Sequence, residues 1–85
     1  MYNLNGINLN LNETMLKSYS ELIGAELNSE HFNDSIGWLA EMMLKTDSFE
    51  KAIELYGPET VSKKIEKAIQ NELSLYDVDN TIEID

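Results

Sequence analysis

His31 is the only histidine in the 85-residue chain, and the chain contains no cysteine, so a Cys/His catalytic pair is impossible. The chain has seven serines, so its composition does not exclude a Ser/His/Asp triad. None of them lies in the glycine-flanked turn that exposes a catalytic serine. We therefore interpret His31 as a surface or capping residue at a helix start, and we expect a protein that is not an enzyme and uses no cofactor.

Carboxylates are the other groups that could do chemistry, since 16 acidic residues stand against six lysines and no arginine. With so many acids, a glycosidase-like pair is unavoidable and carries almost no information. Residues 77 to 85 have the acid spacing of a calcium loop, but Ile82 stands where an EF-hand requires glycine. We predict no metal site, and we expect a strand with a solvated acidic face at this end of the chain.

The formal net charge of -10 is the strongest functional signal. Such an imbalance works against compactness and is tolerated for solubility or for a partner of opposite charge. It argues against direct binding of DNA, RNA or an anionic membrane, because phosphate contacts need lysine and arginine. Residues 17 to 44 hold five acids and one lysine, and residues 68 to 85 hold five acids and no lysine. We therefore expect a basic protein partner that meets these two segments.

Length and composition predict one folded domain, residues 1 to 85, because a chain this short cannot sustain two cores. The hydrophobic content of 42% is far from that of disordered chains. Absence of cysteine fits the reducing cytoplasm. The first residues lack the features of a signal peptide, and no apolar run approaches the roughly 18 residues that span a bilayer. We expect a cytoplasmic protein without membrane association.

A β-hairpin is predicted around Asn5-Gly6, because apolar and polar residues alternate on both sides of this pair. Both central positions of a type I′ turn need positive φ, which asparagine and glycine tolerate. The asparagines should face water, and the alternate apolar residues should face the core. This apolar set consists of Tyr2, Leu4, Ile7, Leu9 and Leu11.

Helix one is predicted over residues 13 to 27, where apolar residues recur at helical spacing. Asn12 is a suitable N-cap, because its side-chain oxygen can accept a hydrogen bond from a free backbone amide. Gly24 costs about 1 kcal/mol relative to alanine inside a helix. An earlier helix end near Ala25 is therefore the alternative.

Helix two is predicted next, with Ser29 or Asn33 as its N-cap. Trp38 and Met42 lie off its apolar stripe and form, with Met43, the best candidate for a partner-facing apolar patch. In helices such residues are more often part of the core. The apolar stripe itself consists of Phe32, Ile36, Leu39, Ala40, Met43 and Leu44.

Two further helices are predicted on either side of Gly57-Pro58. Asp47 and Glu50 have the spacing of a capping box for helix three. Glycine suits the end of that helix, and proline suits the first turn of helix four. A helix-turn-helix fits the same segment poorly, because Glu59 would lie where phosphate approaches. The residues expected to be most deeply buried are Phe32, Leu39, Ile65 and Ile69.

The pattern returns to period two over residues 76 to 84, where apolar residues alternate with acids. This alternation predicts a C-terminal strand that pairs with the hairpin. The predicted fold is therefore α+β, with an N-terminal β-hairpin, four helices and a C-terminal strand completing a small antiparallel sheet. A mostly α-helical bundle is the alternative.

These observations predict a non-enzymatic inhibitor whose acidic surface imitates nucleic acid and occupies the binding site of a basic, nucleic-acid-binding protein. A phage or mobile-element anti-defence protein of the anti-CRISPR type would have these properties. A structural or homo-oligomerisation module that forms a homodimer is the alternative, and a small helix-turn-helix regulator is a third hypothesis. The predicted partner-binding residues are Glu26, Glu30, Asp34, Asp77, Asp79, Glu83 and Trp38.

Overall fold

The computed structural model describes the backbone of residues 2 to 84 and the side chains of residues 2 to 75. Within this part the chain forms a two-stranded antiparallel hairpin followed by helices, so the fold is α+β. The elements are β1 (Tyr2–Leu4), β2 (Ile7–Leu9), α1 (Glu13–Ile23), α2 (Glu30–Leu44) and α3 (Phe49–Ile84).

The hairpin is confirmed and has the predicted turn. Asn5-Gly6 takes positive φ at both residues, 51° and 86°, as a type I′ turn requires. Tyr2 pairs with Leu9 and Leu4 pairs with Ile7 across the strands. Partners in such a register lie on the same face of the sheet. The hairpin therefore presents one apolar face to the helices, where Leu4 and Leu9 are completely buried.

Helix α1 begins at the predicted cap but ends earlier than residue 27. The side chain of Asn12 accepts a hydrogen bond from the backbone N–H of Met15 at 3.0 Å. At the other end, Gly24 has a left-handed φ of 70° and its N–H bonds back to the last turn. This cap stops the helix at Ile23, so the prediction of helix through Leu27 was wrong and the alternative of an earlier end near Ala25 is confirmed.

Serine residues cap the next two helices. Of the two caps proposed for α2, Ser29 is the one used: its Oγ accepts from the N–H of Phe32 at 3.2 Å. Helix α3 is capped by Ser48, whose Oγ accepts from the N–H of Lys51 at 3.1 Å. The prediction of a capping box with Asp47 as the cap was therefore wrong. The cap is the next residue, Ser48, and a capping box is not possible from it, because the third residue after it is Lys51 rather than Glu or Gln.

The two helices predicted on either side of Gly57-Pro58 run together as α3, so the prediction of four separate helices was wrong. The predicted break between the two helical segments is present as a kink at Gly57. Gly57 alone leaves the helical conformation, with φ 84° and ψ 156°. Proline has a φ that suits a helix and no N–H that needs a partner, so the helix resumes at once. The chain bends at this residue without an intervening loop.

The predicted C-terminal strand was also wrong, because residues 76 to 84 continue α3. Each residue that extends an existing helix gains a backbone hydrogen bond. Pairing the same residues with the hairpin would require closure of a long loop before any such gain. An alternating pattern over nine residues is too short to outweigh this difference in free energy between extending the helix and pairing with the hairpin.

The core lies where α1, α2 and β2 pack against α3. Two hydrogen bonds link the segment after β2 to this helix. The N–H of Asn10 donates to Ser62 Oγ at 3.1 Å, and the N–H of Asn12 donates to Glu66 Oε2 at 2.8 Å. Burial of the four predicted core residues is confirmed, since each is at most 1% exposed: Phe32, Leu39, Ile65 and Ile69.

An aromatic cluster joins the hairpin to α1 and α2. The ring of Phe32 meets Tyr2 edge to face at 5.9 Å between centroids, and it meets Tyr19 at 6.0 Å. The hydroxyl of Tyr2 donates to Asn33 Oδ1 and accepts from the N–H of Asn28 at 3.1 Å. These contacts attach the first strand to the start of α2.

Burial raises the pKa of both clustered tyrosines above the ordinary value of 10.0. For Tyr2, the hydrogen bond from Asn28 acts in the opposite direction but is the smaller effect. For Tyr19, the carboxylate of Glu72 raises the pKa further, because a second negative charge nearby is unfavourable. Both phenols are therefore held in the neutral form.

We expect this burial to make the protein sensitive to alkali. The unfolded chain releases these protons first, so the stabilising contribution is complete below about pH 10 and is lost as the pH rises through the folded-state pKa values. Urea unfolding measured over this pH range should show that the free energy of unfolding falls more steeply for the wild type than for Tyr19→Phe. The Glu72→Gln variant should lie between them. An equal loss in all three proteins would contradict the assignment to Tyr19.

Candidate functional site

One face of α2 is largely exposed, with only Glu41 half-buried on it. A helix turns by about 100° per residue, so residues spaced by four drift only about 40° per step and stay on one side. The core-facing side carries Phe32, Ile36, Leu39 and Ala40. We name the opposite side the α2 face, which consists of Glu30, His31, Asp34, Trp38, Glu41 and Met42.

Trp38 lies at the centre of the α2 face and is 56% exposed, with Met42 46% exposed one turn later. Neither residue belongs to the core. Burial in the core had been the more common expectation for residues of these types in a helix. Asp34 lies one turn before the indole, and Glu41 lies one turn after it. Side chains at these spacings are neighbours on a helix, with Cβ atoms about 5 to 6 Å apart. The face therefore presents an aromatic ring between two carboxylates.

The surroundings of the α2 face are acidic. Residues 18 to 44 contain five acids and no lysine, and four of these acids are exposed while Glu41 is half-buried. Glu26 lies in the turn before α2, where its carbonyl accepts a hydrogen bond from Ser29 Oγ at 2.6 Å. A positively charged partner that approaches this side meets negative charge before it reaches Trp38.

The structure brings together only part of the predicted binding set. Glu30, Asp34 and Trp38 share the α2 face, and Glu26 lies in the turn that precedes it. The backbone of residues 77, 79 and 83 belongs to α3. The side chains of Asp77, Asp79 and Glu83 lie outside the described residues.

Three residues of the α2 face were missing from the predicted binding set: His31, Glu41 and Met42. His31 had been interpreted as a surface or capping residue. Met42 had been assigned to the apolar patch, and Glu41 had been counted only in the charge balance. The signal that could have identified Met42 and Glu41 was their spacing, since they follow Trp38 by four and three residues. Residues three and four apart are neighbours on a helix surface, so Glu41 and Met42 belong to the face that contains Trp38.

Two other surface features were compared with the α2 face as candidate binding surfaces. A groove of about 490 Å³ lies between β1 and α1 and is lined by residues that include Tyr2, Leu16 and Leu27. The Tyr2 hydroxyl is already used as donor and acceptor within the fold. Leu55 and Tyr56 are exposed beside the bend in α3, without the surrounding excess of acid that marks the α2 face. The α2 face is therefore the best candidate for a binding surface.

Comparison with protein-family models, with curated proteins and with solved structures finds no match for this chain. Within the described residues, no three histidine or acidic side chains are grouped so that they could hold a metal ion. In the same part of the chain, no helix combines the length and the hydrophobicity needed to cross a membrane.

Proposed function

We propose that the protein is a non-enzymatic inhibitor that binds a basic, nucleic-acid-binding protein through the α2 face. The observation that supports this proposal is the presence of exposed Glu30, Asp34 and Trp38 on one helix face, in a segment without lysine. Carboxylates spaced along a helix can take the place of phosphates. A partner occupied by this face would be unable to bind its DNA or RNA.

The charge distribution suits such a competitor. A net charge of -10 attracts a basic protein over a distance of about one Debye length and raises the association rate. Exposed charges at the edge of an interface act mainly on this rate, whereas a buried aromatic residue acts mainly on dissociation. The α2 face combines both kinds of group.

A phage or mobile-element anti-defence protein of the anti-CRISPR type, acting in the cytoplasm, is the biological class that we propose. The support is the small size, the acidity and the absence of cysteine. An inhibitor of this kind needs no catalytic group, because it acts by occupying a site. The residues of the α2 face and the neighbouring Glu26 would form its contact surface.

A homodimer through the α2 face is the second candidate, because Trp38 and Met42 are exposed together. In an antiparallel pairing centred on Trp38, Asp34 of each copy would lie near Glu41 of the other. The two-fold symmetry would repeat this unfavourable contact. Juxtaposed like charges in an interface cost several kcal/mol. The charge pattern therefore favours a basic partner over a second copy.

Neutralising two carboxylates of the α2 face should weaken inhibition. We expect Glu30→Gln combined with Asp34→Asn to reduce affinity for the basic partner about tenfold, since each exposed ion pair contributes roughly 0.5 to 1 kcal/mol. The matched control combines Glu50→Gln with Glu54→Gln, which removes the same charge at the same spacing from exposed positions on α3. This control should have a much smaller effect.

The measurement is displacement of labelled DNA or RNA from a panel of purified basic nucleic-acid-binding proteins, followed by fluorescence anisotropy. Inhibition should weaken steeply between roughly 50 and 200 mM salt. Equal effects of the two double variants would show that only net charge matters. Failure to displace nucleic acid anywhere in the panel, together with a mass that rises with concentration in light scattering, would favour the homodimer.

A further inference from the structure

We infer that the α2 face imitates single-stranded rather than double-stranded nucleic acid, with Trp38 in the place of an unstacked base and Asp34 and Glu41 in the places of flanking phosphates. This inference rests on the proposed function and specifies its partner. The partner is a protein that binds single strands in a basic groove containing exposed aromatic side chains.

The exposed indole is the first reason. An imitator of duplex DNA needs carboxylates but no exposed ring, because the bases of a duplex are stacked inside it. Trp38 is 56% exposed and lies outside the hydrophobic core. Packing of the fold therefore does not account for a large aromatic residue at this position. A surface role for the ring does account for it.

The position of the indole between carboxylates is the second reason. Asp34 precedes Trp38 by four residues, Glu41 follows it by three, and all three lie on the α2 face. Negative charge therefore stands on both sides of the ring along the helix axis. A nucleotide in a single strand likewise has a phosphate on each side of its base. Met42 adds a polarizable apolar surface next to the indole, which can pack against an aromatic residue of the partner.

The chemistry of single-strand binding is the third reason. Such proteins combine a positively charged groove, which follows the phosphates, with aromatic side chains on which the bases stack. An indole can stack on the same side chains, and the two carboxylates can pair with the lysines and arginines of the groove. Proteins that read duplexes contact mainly phosphates and base edges, so stacking of bases on aromatic side chains is not the basis of their recognition. The α2 face therefore matches the first class.

The test is displacement of labelled nucleic acid from purified proteins of both classes. The single-strand arm contains several proteins of the OB-fold and RRM types, with oligothymidine or single-stranded RNA as the labelled probe. The duplex arm contains helix-turn-helix proteins with labelled duplex DNA. We expect displacement in the single-strand arm, reduced about 10- to 100-fold by Trp38→Ala and largely retained by Trp38→Phe.

The outcomes separate this inference from the proposed function. Displacement only in the duplex arm, or displacement that is unchanged by Trp38→Ala, would overturn the inference and leave the proposed function standing. Absence of displacement in both arms would overturn both. The melting temperature of Trp38→Ala should lie within about 4 °C of that of the wild type, because more than half of the side chain is exposed. A loss of inhibition in this variant therefore reports on the surface.

Discussion

Replacement of Phe32 by alanine is expected to lower the free energy of unfolding by about 3 to 5 kcal/mol. The side chain is completely buried, and its ring contacts the rings of Tyr2 and Tyr19. Its loss would leave a cavity where the hairpin, α1 and α2 meet. The total stability of a small domain is about 5 to 15 kcal/mol, so this single change should remove much of it.

Urea unfolding followed by circular dichroism measures this loss. The matched control is Trp38→Ala, which removes a larger aromatic side chain from the exposed side of the same helix. It should change the free energy of unfolding by less than about 0.5 kcal/mol. Similar unfolding curves for the two variants would show that α2 does not bury the side that contains Phe32.

Replacement of Leu9 by alanine is expected to cost about 2 to 5 kcal/mol. Leu9 is completely buried in β2, and this strand packs against α3. An isolated two-stranded hairpin is at best marginally stable in water. The hairpin is therefore expected to form only with the core, and truncation of Leu9 should destabilise the whole domain rather than the hairpin alone.

Asn8→Ala is the matched control for this change. Asn8 is exposed on the other face of the same strand, where its side chain accepts a hydrogen bond from Asn3 at 3.0 Å. Loss of this exposed bond should cost less than about 1 kcal/mol. Amide hydrogen exchange in α3 should accelerate in Leu9→Ala and remain slow in Asn8→Ala. Equal exchange in both variants would contradict the proposed contact between the hairpin and α3.

These two changes and the binding variants act on different sides of the molecule. Phe32 and Leu9 point into the core, whereas Glu30, Asp34 and Trp38 are exposed on α2. Stability and inhibition should therefore vary independently. A binding variant that unfolds like the wild type can be interpreted as a change of surface chemistry alone.

Local signals predicted much of the fold and part of the candidate site. The turn at Asn5-Gly6 depends on the φ preferences of two adjacent residues, so it could be recognised without the rest of the chain. Burial of Leu39 and Ile65 follows from the helical spacing of apolar residues. Glu30 and Asp34 could be placed in one acidic segment, because that prediction needs only the order of charges along the chain.

The sequence by itself thus determined the hairpin, the apolar stripes of the helices and the concentration of acid before and within α2, because each depends on neighbours within a few residues. The tertiary structure decided whether α3 bends at Gly57 or divides there, and whether the segment from residue 76 pairs with the hairpin or extends the helix. It also decided that Trp38 lies on the exposed side of α2. These outcomes depend on which surfaces α3, the hairpin and α2 bury against one another, and the free energy of that packing is a property of residues distant in the chain.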